Sequence, residues 1–249
     1  MILGVLLGNA SVRFGLLGPE GIRESGRMGW DELTARGAEI ERLAGAPDVR
    51  EVVAGSVRDD LLPLVARWIP ERLRPLLLAR RDFPLPIGSL YERPEEAGTD
   101  RLLNAIAIRA RVPGRPAVAV DFGTAVSVTV VDGAGAFAGG LIASGGRTTA
   151  RGLSLAAPRL PEVDPRPPGR TIATSSRSAV SGGVYLQVAG GVSRILRGIL
   201  EEMPGARVIA TGGEAELFAP AVPEIDEVAP DLGLEGLAIA CRSRREATG

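Results

Sequence analysis

The stretch that decides the fold reads Val118-Ala119-Val120-Asp121-Phe122-Gly123-Thr124-Ala125-Val126-Ser127-Val128-Thr129-Val130-Val131-Asp132-Gly133. Two runs of β-branched and apolar residues flank a short turn, which is typical of the two strands of a β-hairpin. The turn carries a carboxylate (Asp121), a flexible glycine (Gly123) and a hydroxyl (Thr124). Such a turn can bring backbone N–H groups and a hydroxyl against a phosphate while the carboxylate holds a cation. This stretch alone is equally compatible with a plain hairpin that binds nothing.

The start of the chain repeats this pattern. Ile2–Leu7 and Ser11–Leu17 are apolar runs on either side of a Gly8-Asn9 turn, and they predict a second hairpin. When the two hairpins are aligned, their turn glycines coincide, and Leu6 stands where the later copy has Asp121. Two copies roughly 115 residues apart suggest a duplicated domain with a ligand between the halves. The match is short enough that chance is the alternative explanation.

The predicted domain division follows from this repeat. Residues 1–115 form the expected N-terminal domain and residues 116–249 the expected C-terminal domain, with residues 111–116 as the linker. A chain of 249 residues is long enough to supply a core to each.

The composition excludes several kinds of chemistry. The net charge is −1, which argues against nucleic acid or a membrane surface as a partner held by bulk electrostatics. All 29 basic residues are arginine, and the sequence contains neither lysine nor histidine. A Ser–His or Cys–His pair, a histidine zinc ligand and the lysine of a Walker-type phosphate loop are therefore impossible. An enzyme built from this sequence would use Asp or Glu as its general base.

Two further features indicate the compartment. The single cysteine, Cys241, cannot form an internal disulfide, which suits a cytoplasmic protein. The apolar run Met1–Leu7 is too short for a signal-peptide core or a membrane span, so it is expected to be a buried strand.

Hydrophobic periodicity predicts the remaining elements. An amphipathic helix is expected over 31–44, a strand over 51–55, a helix over 59–69 and a strand over 76–78. A third strand of the later sheet is expected over 136–143, a flexible loop over 144–149 and a long helix over 176–203. The glycine pairs Gly182-Gly183 and Gly190-Gly191 cost about 1 kcal/mol each in a helix interior, so close packing or a break is expected there. The tail after Cys241 is expected to fray.

Thr99-Asp100-Arg101 precedes a run of apolar residues at helical spacing. Thr99 can cap this helix, which places Asp100 in the first turn, where the helix dipole favours an ionised acid. An ionised carboxylate can accept a proton, and a neighbouring arginine can hold an anionic substrate. An ordinary capped helix with a surface acid gives the same pattern.

The segment 208–215 reads as a strand, a Gly212-Gly213 turn and a helix start. Such a turn lets a flat base lie against the backbone, although strand–glycine–helix turns are also common without a ligand.

Five segments in this order resemble the type III pantothenate kinases, which belong to the superfamily of actin, the heat-shock ATPases and the sugar kinases. They are Tyr91-Glu-Arg-Pro-Glu-Glu-Ala-Gly-Thr-Asp-Arg-Leu-Leu-Asn-Ala105, Val120-Asp-Phe-Gly-Thr-Ala125, Gly139-Gly-Leu-Ile142, Ala210-Thr-Gly-Gly213 and Pro230-Asp-Leu-Gly-Leu-Glu-Gly-Leu237. The resemblance implies an α/β protein of two ribonuclease-H-like, actin-like ATPase domains, with duplicated mixed sheets flanked by helices. It implies a homodimer that transfers the γ-phosphate of ATP to the primary hydroxyl of pantothenate.

The resemblance also implies site residues. Asp100 is implied as the general base, and Asp121 as the ligand of a monovalent cation, K⁺ or NH₄⁺. ATP, accompanied by Mg²⁺, is implied to contact Gly8, Asn9, Ser11, Thr124, Gly212 and Gly213. Pantothenate is implied to contact Tyr91, Gly98, Thr99, Asp100, Arg101 and Ser176. Phosphoryl transfer needs positioning, cations and one proton acceptor, so the absence of lysine and histidine is no obstacle.

The chain departs from the family pattern at its first phosphate motif. The family begins with Asp-x-Gly-Asn-Thr, whereas the acid position here is Leu6 and the threonine position is Ala10. A leucine cannot support the magnesium-bound phosphates, and such a loss can cost several kcal/mol of transition-state stabilisation. Two functions follow as hypotheses: an active pantothenate kinase, or a catalytically impaired or inactive homologue with a regulatory or ligand-binding role.

Overall fold

The computed structural model describes residues 1–248 of the chain. These residues form two compact units. The first comprises Met1–Arg111 together with the segment from Asp231 onward, and the second comprises Val112–Pro230.

Each unit begins with three consecutive strands, and helices and further strands follow. The strands are β1 (Ile2–Leu7), β2 (Ser11–Gly18), β3 (Gly21–Gly29), β4 (Glu51–Ser56), β5 (Leu77–Leu78), β6 (Ala117–Phe122), β7 (Ala125–Val131), β8 (Phe137–Ser144), β9 (Arg207–Thr211) and β10 (Glu227–Val228). The helices are α1 (Leu33–Arg36), α2 (Ala38–Ala44), α3 (Leu62–Ala66), α4 (Thr99–Arg111), α5 (Gly146–Ala156), α6 (Ser176–Glu202), α7 (Ala215–Phe218) and α8 (Leu232–Thr248).

Within residues 1–248, each unit is built on one five-stranded mixed sheet with the same topology. The strand order is β3-β2-β1-β4-β5 in the first and β8-β7-β6-β9-β10 in the second. In both, the first three strands are antiparallel neighbours and the last two add in parallel. This equivalence confirms the predicted α/β fold with duplicated mixed sheets flanked by helices.

The equivalent strands β1 and β6 bury their residues in the same order. Each is buried throughout except at its fifth residue, which is Leu6 in the first copy and Asp121 in the second. Leu6 lies beside Gly55 of the parallel neighbour, and Asp121 lies beside Thr211. The fold therefore places both side chains at the same point, near the end of the central strand where it enters the turn.

The helix α8 corrects two predictions. The chain does not fray after Cys241, because the helix continues to Thr248 and both Arg244 and Arg245 donate hydrogen bonds to Glu51. Burial alone would raise the pKa of the Glu51 carboxyl, but the hydrogen bonds from these two arginines outweigh burial and lower it. The helix also belongs to the first unit, whereas the predicted division after residue 115 assigned it to the second domain.

Close packing attaches α8 to α4. A Cβ on Gly236 would overlap the carbonyl oxygen of Leu103 and would lie 2.6 Å from its carbonyl carbon. Leu103 and Ile106 of α4 are fully buried together with Leu234 and Leu237 of α8. The apolar residues of α8 therefore pack into the core of the first unit, whose sheet is formed by residues 1–111.

Other elements differ from expectation in detail. Strand β3 was not predicted, because its sequence is mostly polar and exposed. The loop expected over 144–149 becomes helix α5 from Gly146 onward. Helix α6 runs without a break through both glycine pairs, of which only Gly182 is tightly packed, against Pro168. The helix expected over 31–44 is divided in two at Gly37.

The α4–α8 contact generates a stability prediction. Gly236→Ala is expected to lower the free energy of unfolding by about 1–3 kcal/mol, because the helices must separate to admit a methyl group. In Gly198→Ala, the new methyl group would meet only the flexible end of Arg194, at 3.4 Å. This control variant should gain about 1 kcal/mol from helix propensity. Urea unfolding followed by circular dichroism measures both, and equal shifts of the same sign would contradict the packing argument.

Candidate active site

Two turns of the second unit meet at the stretch Gly123-Thr124. The N–H of Gly123 donates to the carbonyl of Ala125 at 3.0 Å and closes the turn between β6 and β7. The carbonyl oxygen of Thr124 accepts the N–H of Gly145 at 3.1 Å and the hydroxyl of Thr148 at 2.6 Å. A Cβ on Gly145 would overlap the carbonyl oxygen of Gly123. This approach is possible only for glycine, and it places the first turn of α5 beside Thr124.

A third turn joins them from β9. Gly212 has φ +96°, and a Cβ on it would overlap the Asp121 carboxylate and the backbone of Phe122. The N–H of Glu214 donates to the carbonyl of Phe122 at 3.0 Å. The second unit thus gathers the turn residues Asp121, Thr124 and Gly212 around backbone atoms, as a site for a phosphate and a cation requires.

The segment 144–149, predicted as a flexible loop suited to close approach by a ligand, contains the start of helix α5, which was not predicted. Its N-cap residue, Gly145, has no side chain to occupy the free N–H groups of the first turn. The start of a helix carries unpaired N–H groups and a partial positive charge, which favour anions. The signal in the sequence was Gly145-Gly146 followed by Thr148-Thr149, which reads as a loop until the helix behind it is recognised.

The equivalent turn of the first unit, between β1 and β2, receives hydrogen bonds from side chains of other segments. The N–H of Gly8 donates to the carbonyl of Ser11 at 3.0 Å, and the indole of Trp30 donates to the carbonyl of Gly8 at 3.0 Å. The hydroxyl of Ser11 accepts a hydrogen bond from Arg27 at 3.1 Å, while Asn9 is exposed. This turn can therefore present Asn9 and backbone groups to a ligand, whereas Ser11 also has a structural partner.

Helix α4 begins with the residues predicted to bind substrate and to accept a proton. Thr99 and Arg101 are buried, at 8% and 4% exposure, whereas Asp100 between them reaches the surface. Desolvation by surrounding protein raises the pKa of the Asp100 carboxyl above its ordinary 3.8, although the Arg101 backbone N–H, at 2.8 Å from Oδ1, and the Arg101 charge oppose the rise. Desolvation exceeds the opposing effects, so the pKa of this carboxyl lies above that of an aspartate in water even though part of the residue is exposed.

Tyr91 is brought to the same helix start by Arg101. The guanidinium lies 5.6 Å from the centre of the Tyr91 ring, and its NH1 donates to the phenol oxygen at 3.4 Å. The backbone N–H of Tyr91 donates to the hydroxyl of Ser89 at 3.2 Å. The structure therefore unites Tyr91 with Gly98–Arg101, which are distant from it by up to ten positions in sequence.

The predicted residues are divided between the units. The first unit holds Gly8, Asn9, Ser11, Tyr91, Gly98, Thr99, Asp100 and Arg101, and the second holds Asp121, Thr124, Ser176, Gly212 and Gly213. Ser176 is the first residue of α6, next to Ser175, whose hydroxyl accepts the N–H of Ser178 at 3.2 Å. Within residues 1–248, no group of three or more Asp, Glu, Cys or His is placed to hold a metal ion. The described helices are all too short or too polar to cross a membrane.

The fold defines a class of protein. The structure is similar to the ADPNP-bound activator of 2-hydroxyisocaproyl-CoA dehydratase from Clostridium difficile, with a TM-score of 0.55 and 15% identity over 98% of this chain and 97% of that one. It is also similar to the ROK hexokinase from Thermus thermophilus, with a TM-score of 0.51 and 17% identity over 98% and 99%. The two duplicated sheets and these neighbours place the protein in the actin-like and sugar-kinase ATPase fold.

The family follows from the sequence. The family model of the type III pantothenate kinases matches residues 2–198. The type III pantothenate kinase of Desulfovibrio desulfuricans is 37% identical over 93% of this chain and 92% of its own length. That of Rubrobacter xylanophilus is 32% identical over 96% of both. The chain belongs to the type III pantothenate kinase family, as the sequence motifs predicted.

Proposed function

We propose that this protein transfers the γ-phosphate of ATP to the primary hydroxyl of pantothenate, giving 4′-phosphopantothenate in the first step of coenzyme A biosynthesis. The observation that carries the proposal is the start of helix α4, where Asp100 stands between the buried Thr99 and Arg101, and the Arg101 guanidinium lies over the Tyr91 ring, in a chain of this family. We also propose that the reaction takes place in the cytoplasm. The chain has one cysteine and therefore no internal disulfide, which suits that reducing compartment.

Asp100 is proposed as the general base. In the reaction the hydroxyl oxygen of pantothenate bonds to the γ-phosphorus, the bond from that phosphorus to the β–γ bridging oxygen breaks, and ADP leaves. The carboxylate of Asp100 takes the hydroxyl proton. A base whose pKa lies closer to the working pH accepts a proton more effectively, so the desolvation of Asp100 supports this role.

Arg101 and Tyr91 are proposed to hold the substrate. Pantothenate carries a carboxylate, and a guanidinium is permanently charged and binds carboxylates through two parallel N–H groups. Arg101 is buried and its guanidinium is oriented by the ring and hydroxyl of Tyr91. Gly98, Thr99 and Ser176 are proposed to complete the pantothenate contacts.

The turns are proposed to bind ATP. Gly8, Asn9, Ser11 and Thr124 would contact the phosphates, Gly212 and Gly213 the adenine, and Asp121 a monovalent cation, K⁺ or NH₄⁺. The close glycine contacts leave backbone groups, free of side chains, beside the turn at Thr124 in the case of Gly145 and beside Asp121 and Phe122 in the case of Gly212. Magnesium ions usually bind through one or two carboxylates together with the substrate's phosphates, so Mg²⁺ is proposed to arrive with ATP. It would neutralise charge that develops on the phosphates.

Leu6 occupies the position of the family's first acid. A Cβ on Gly55 would lie 3.0 Å from Leu6 Cδ2, and one on Gly233 would lie 2.9 Å from Leu6 Cδ1. The side chain is partly buried and packs against the apolar core of the first unit. In this chain the position therefore contributes to packing, and the reaction is proposed to proceed with the cations held by the phosphates and Asp121.

A homodimer is proposed to form through the second unit. From Gly140 to Ser144 the edge strand β8 is exposed on both faces, and Leu141 and Ile142 are 52% and 63% exposed. Leu155 of α5 and Leu186 of α6 add further exposed apolar surface. Apolar surface of this kind on an unpaired sheet edge is a common site of protein association.

The direct test is release of ADP by the purified protein with MgATP, K⁺ and pantothenate, followed by a coupled assay. Turnover that requires pantothenate is expected. ADP release no faster than in a reaction without protein, at high protein concentration, would contradict the kinase function.

Asp100→Asn is expected to lower kcat by about 10²–10⁴-fold, because the proton acceptor is lost. Its thermal midpoint at neutral pH should be unchanged or higher. The folded-state pKa of Asp100 is raised, so above that pKa the ionised carboxylate costs stability that the amide does not. In the wild type, kcat/KM should rise with pH as Asp100 loses its proton, and the midpoint of this rise should lie above the ordinary aspartate pKa of 3.8. A variant that kept wild-type turnover would exclude Asp100 as the base.

Leu6→Asp is expected to raise turnover while lowering stability, because a carboxylate replaces a packed side chain. The matched control is Leu6→Asn, which has the same shape without the charge. Both variants should lose stability, and only Leu6→Asp should gain kcat at saturating ATP. If the two variants turn over equally fast, the carboxylate has no metal-supporting role in this chain.

Ile142→Glu is expected to convert the dimer into a monomer in sedimentation velocity at micromolar concentration. Val228→Glu is the control, since Val228 is 37% exposed on β10, at the opposite edge of the same sheet. A wild-type protein that sediments as a monomer, or an unaffected Ile142→Glu dimer, would refute the proposed surface.

A further inference from the structure

Arg80 has an unusual backbone conformation for its residue type. Its φ is +74°, in the left-handed region, and among residues 1–248 it is the one residue other than glycine with a positive φ. Side chains with a Cβ are disfavoured there, and such strain persists only where the surrounding structure holds it in place. At this position a glycine would meet the backbone requirement better, so the role of the arginine must lie in its side chain.

The surroundings of Arg80 do hold it. The N–H of Arg80 donates to the carbonyl of Phe83 at 2.9 Å, and the preceding Ala79 donates to the carbonyl of Ala54 in β4 at 2.8 Å. Ala79 and Phe83 are buried. Arg80 therefore extends from the edge of the first unit's core sheet, directly after β5, and its backbone is fixed on that core.

The guanidinium of Arg80 holds the turn that leads into the proposed pantothenate site. It donates to the carbonyl oxygens of Ala97 and Pro94, the latter at 2.7 Å. These two carbonyls bracket the short 3-10 turn Pro94–Glu96, which the N–H of Ala97 closes by donating to Pro94 at 3.3 Å. The planar guanidinium can bond both carbonyls at once, whereas an ammonium group has no such fixed geometry.

This turn joins the two parts of the site. Tyr91 lies three residues before Pro94, and Gly98, Thr99 and Asp100 follow Ala97. The backbone after Ala97 runs directly beside the Asp100 side chain, because a Cβ on Gly98 would lie 2.5 Å from the Asp100 carboxylate. A shift of the turn would therefore be passed to the carboxyl of Asp100 and to the spacing between Tyr91 and Arg101.

We propose that Arg80 is a positioning residue. Its guanidinium fixes the turn Pro94–Glu96 through the carbonyls of Pro94 and Ala97, and it thereby sets the geometry of Tyr91, Asp100 and Arg101 for pantothenate. This inference rests on the proposed function of those three residues. Arg80 acts through the turn's carbonyls and has no proposed contact with substrate.

The test variant is Arg80→Gly, because glycine accepts φ +74° without strain, so the substitution removes the side chain without forcing the backbone to change. Its kcat/KM for pantothenate should fall by about tenfold to a hundredfold through a higher KM, since small misplacements of binding groups have effects of this size. The KM for ATP should not change. Added guanidinium ion at millimolar concentration should restore part of the loss, and Arg80→Lys should be intermediate.

Arg81→Gly is the matched control. Arg81 is the next residue, its side chain is 60% exposed, and its guanidinium pairs with Asp82 at 3.0 Å rather than with the turn. This variant should keep the wild-type KM for pantothenate. A general loss of folded protein in Arg80→Gly would lower the apparent kcat equally, whichever of the two substrates is varied, and guanidinium ion would not restore it. That pattern would overturn the positioning role.

Hydrogen exchange separates this inference from the proposed function. In Arg80→Gly, amide exchange in peptides covering residues 91–101 should become faster than in Arg81→Gly, whether or not the protein turns over pantothenate. Unchanged exchange there would refute the inference and leave the kinase function standing. A wild type without pantothenate-dependent turnover, combined with faster exchange in Arg80→Gly, would instead refute the kinase function and leave the turn-fixing role intact.

Discussion

The contact between α4 and α8 is the constraint on which the first half of the site depends. Gly236 meets the backbone of Leu103 so closely that no side chain fits between the helices. Leu103 is one turn along α4 from Thr99, so the same contact fixes the helix start that carries Asp100 and Arg101. The ion pair between Arg111 and Glu235, with both hydrogen bonds at 2.7 Å, adds a second attachment at the other end of α4. The proposed base is thus carried by a helix that is attached to α8 near both ends.

The second unit reaches a binding geometry by different means. Its proposed phosphate and cation site is built from turns, and glycines let those turns approach closely at Thr124 and at Asp121. A chain without lysine has no compact ammonium group to offer a phosphate, and backbone N–H groups are one kind of donor that can bind it instead. Backbone N–H groups supply donors that carry no side-chain entropy and that remain unaffected by pH.

Much of the fold and of the candidate site could be predicted from the sequence, and the parts that could not be predicted share physical causes. The two hairpins and the helix at Thr99 were predictable because their apolar periodicity is local. Strand β3 was hidden because its residues are mostly polar, and helix α5 because Gly145-Gly146 resembles a loop. The placement of α8 in the first unit depends on contacts across more than a hundred residues. The hydrogen bonds from Arg80 to the turn were likewise not predictable from the sequence. They join residues 14 and 17 positions apart, and they start from an unusual backbone conformation at Arg80.

The late position of α8 in the chain has a consequence for biosynthesis. A ribosome completes all of the second unit before it releases the helix against which α4 packs. Until then the apolar face of α4, with Leu103 and Ile106, lacks its partner and is a surface on which a chaperone or another nascent chain can bind. The helix that carries the proposed base thus completes its packing only after α8 has been synthesised. Premature termination after the second unit would leave a chain with one finished half and no seated Asp100.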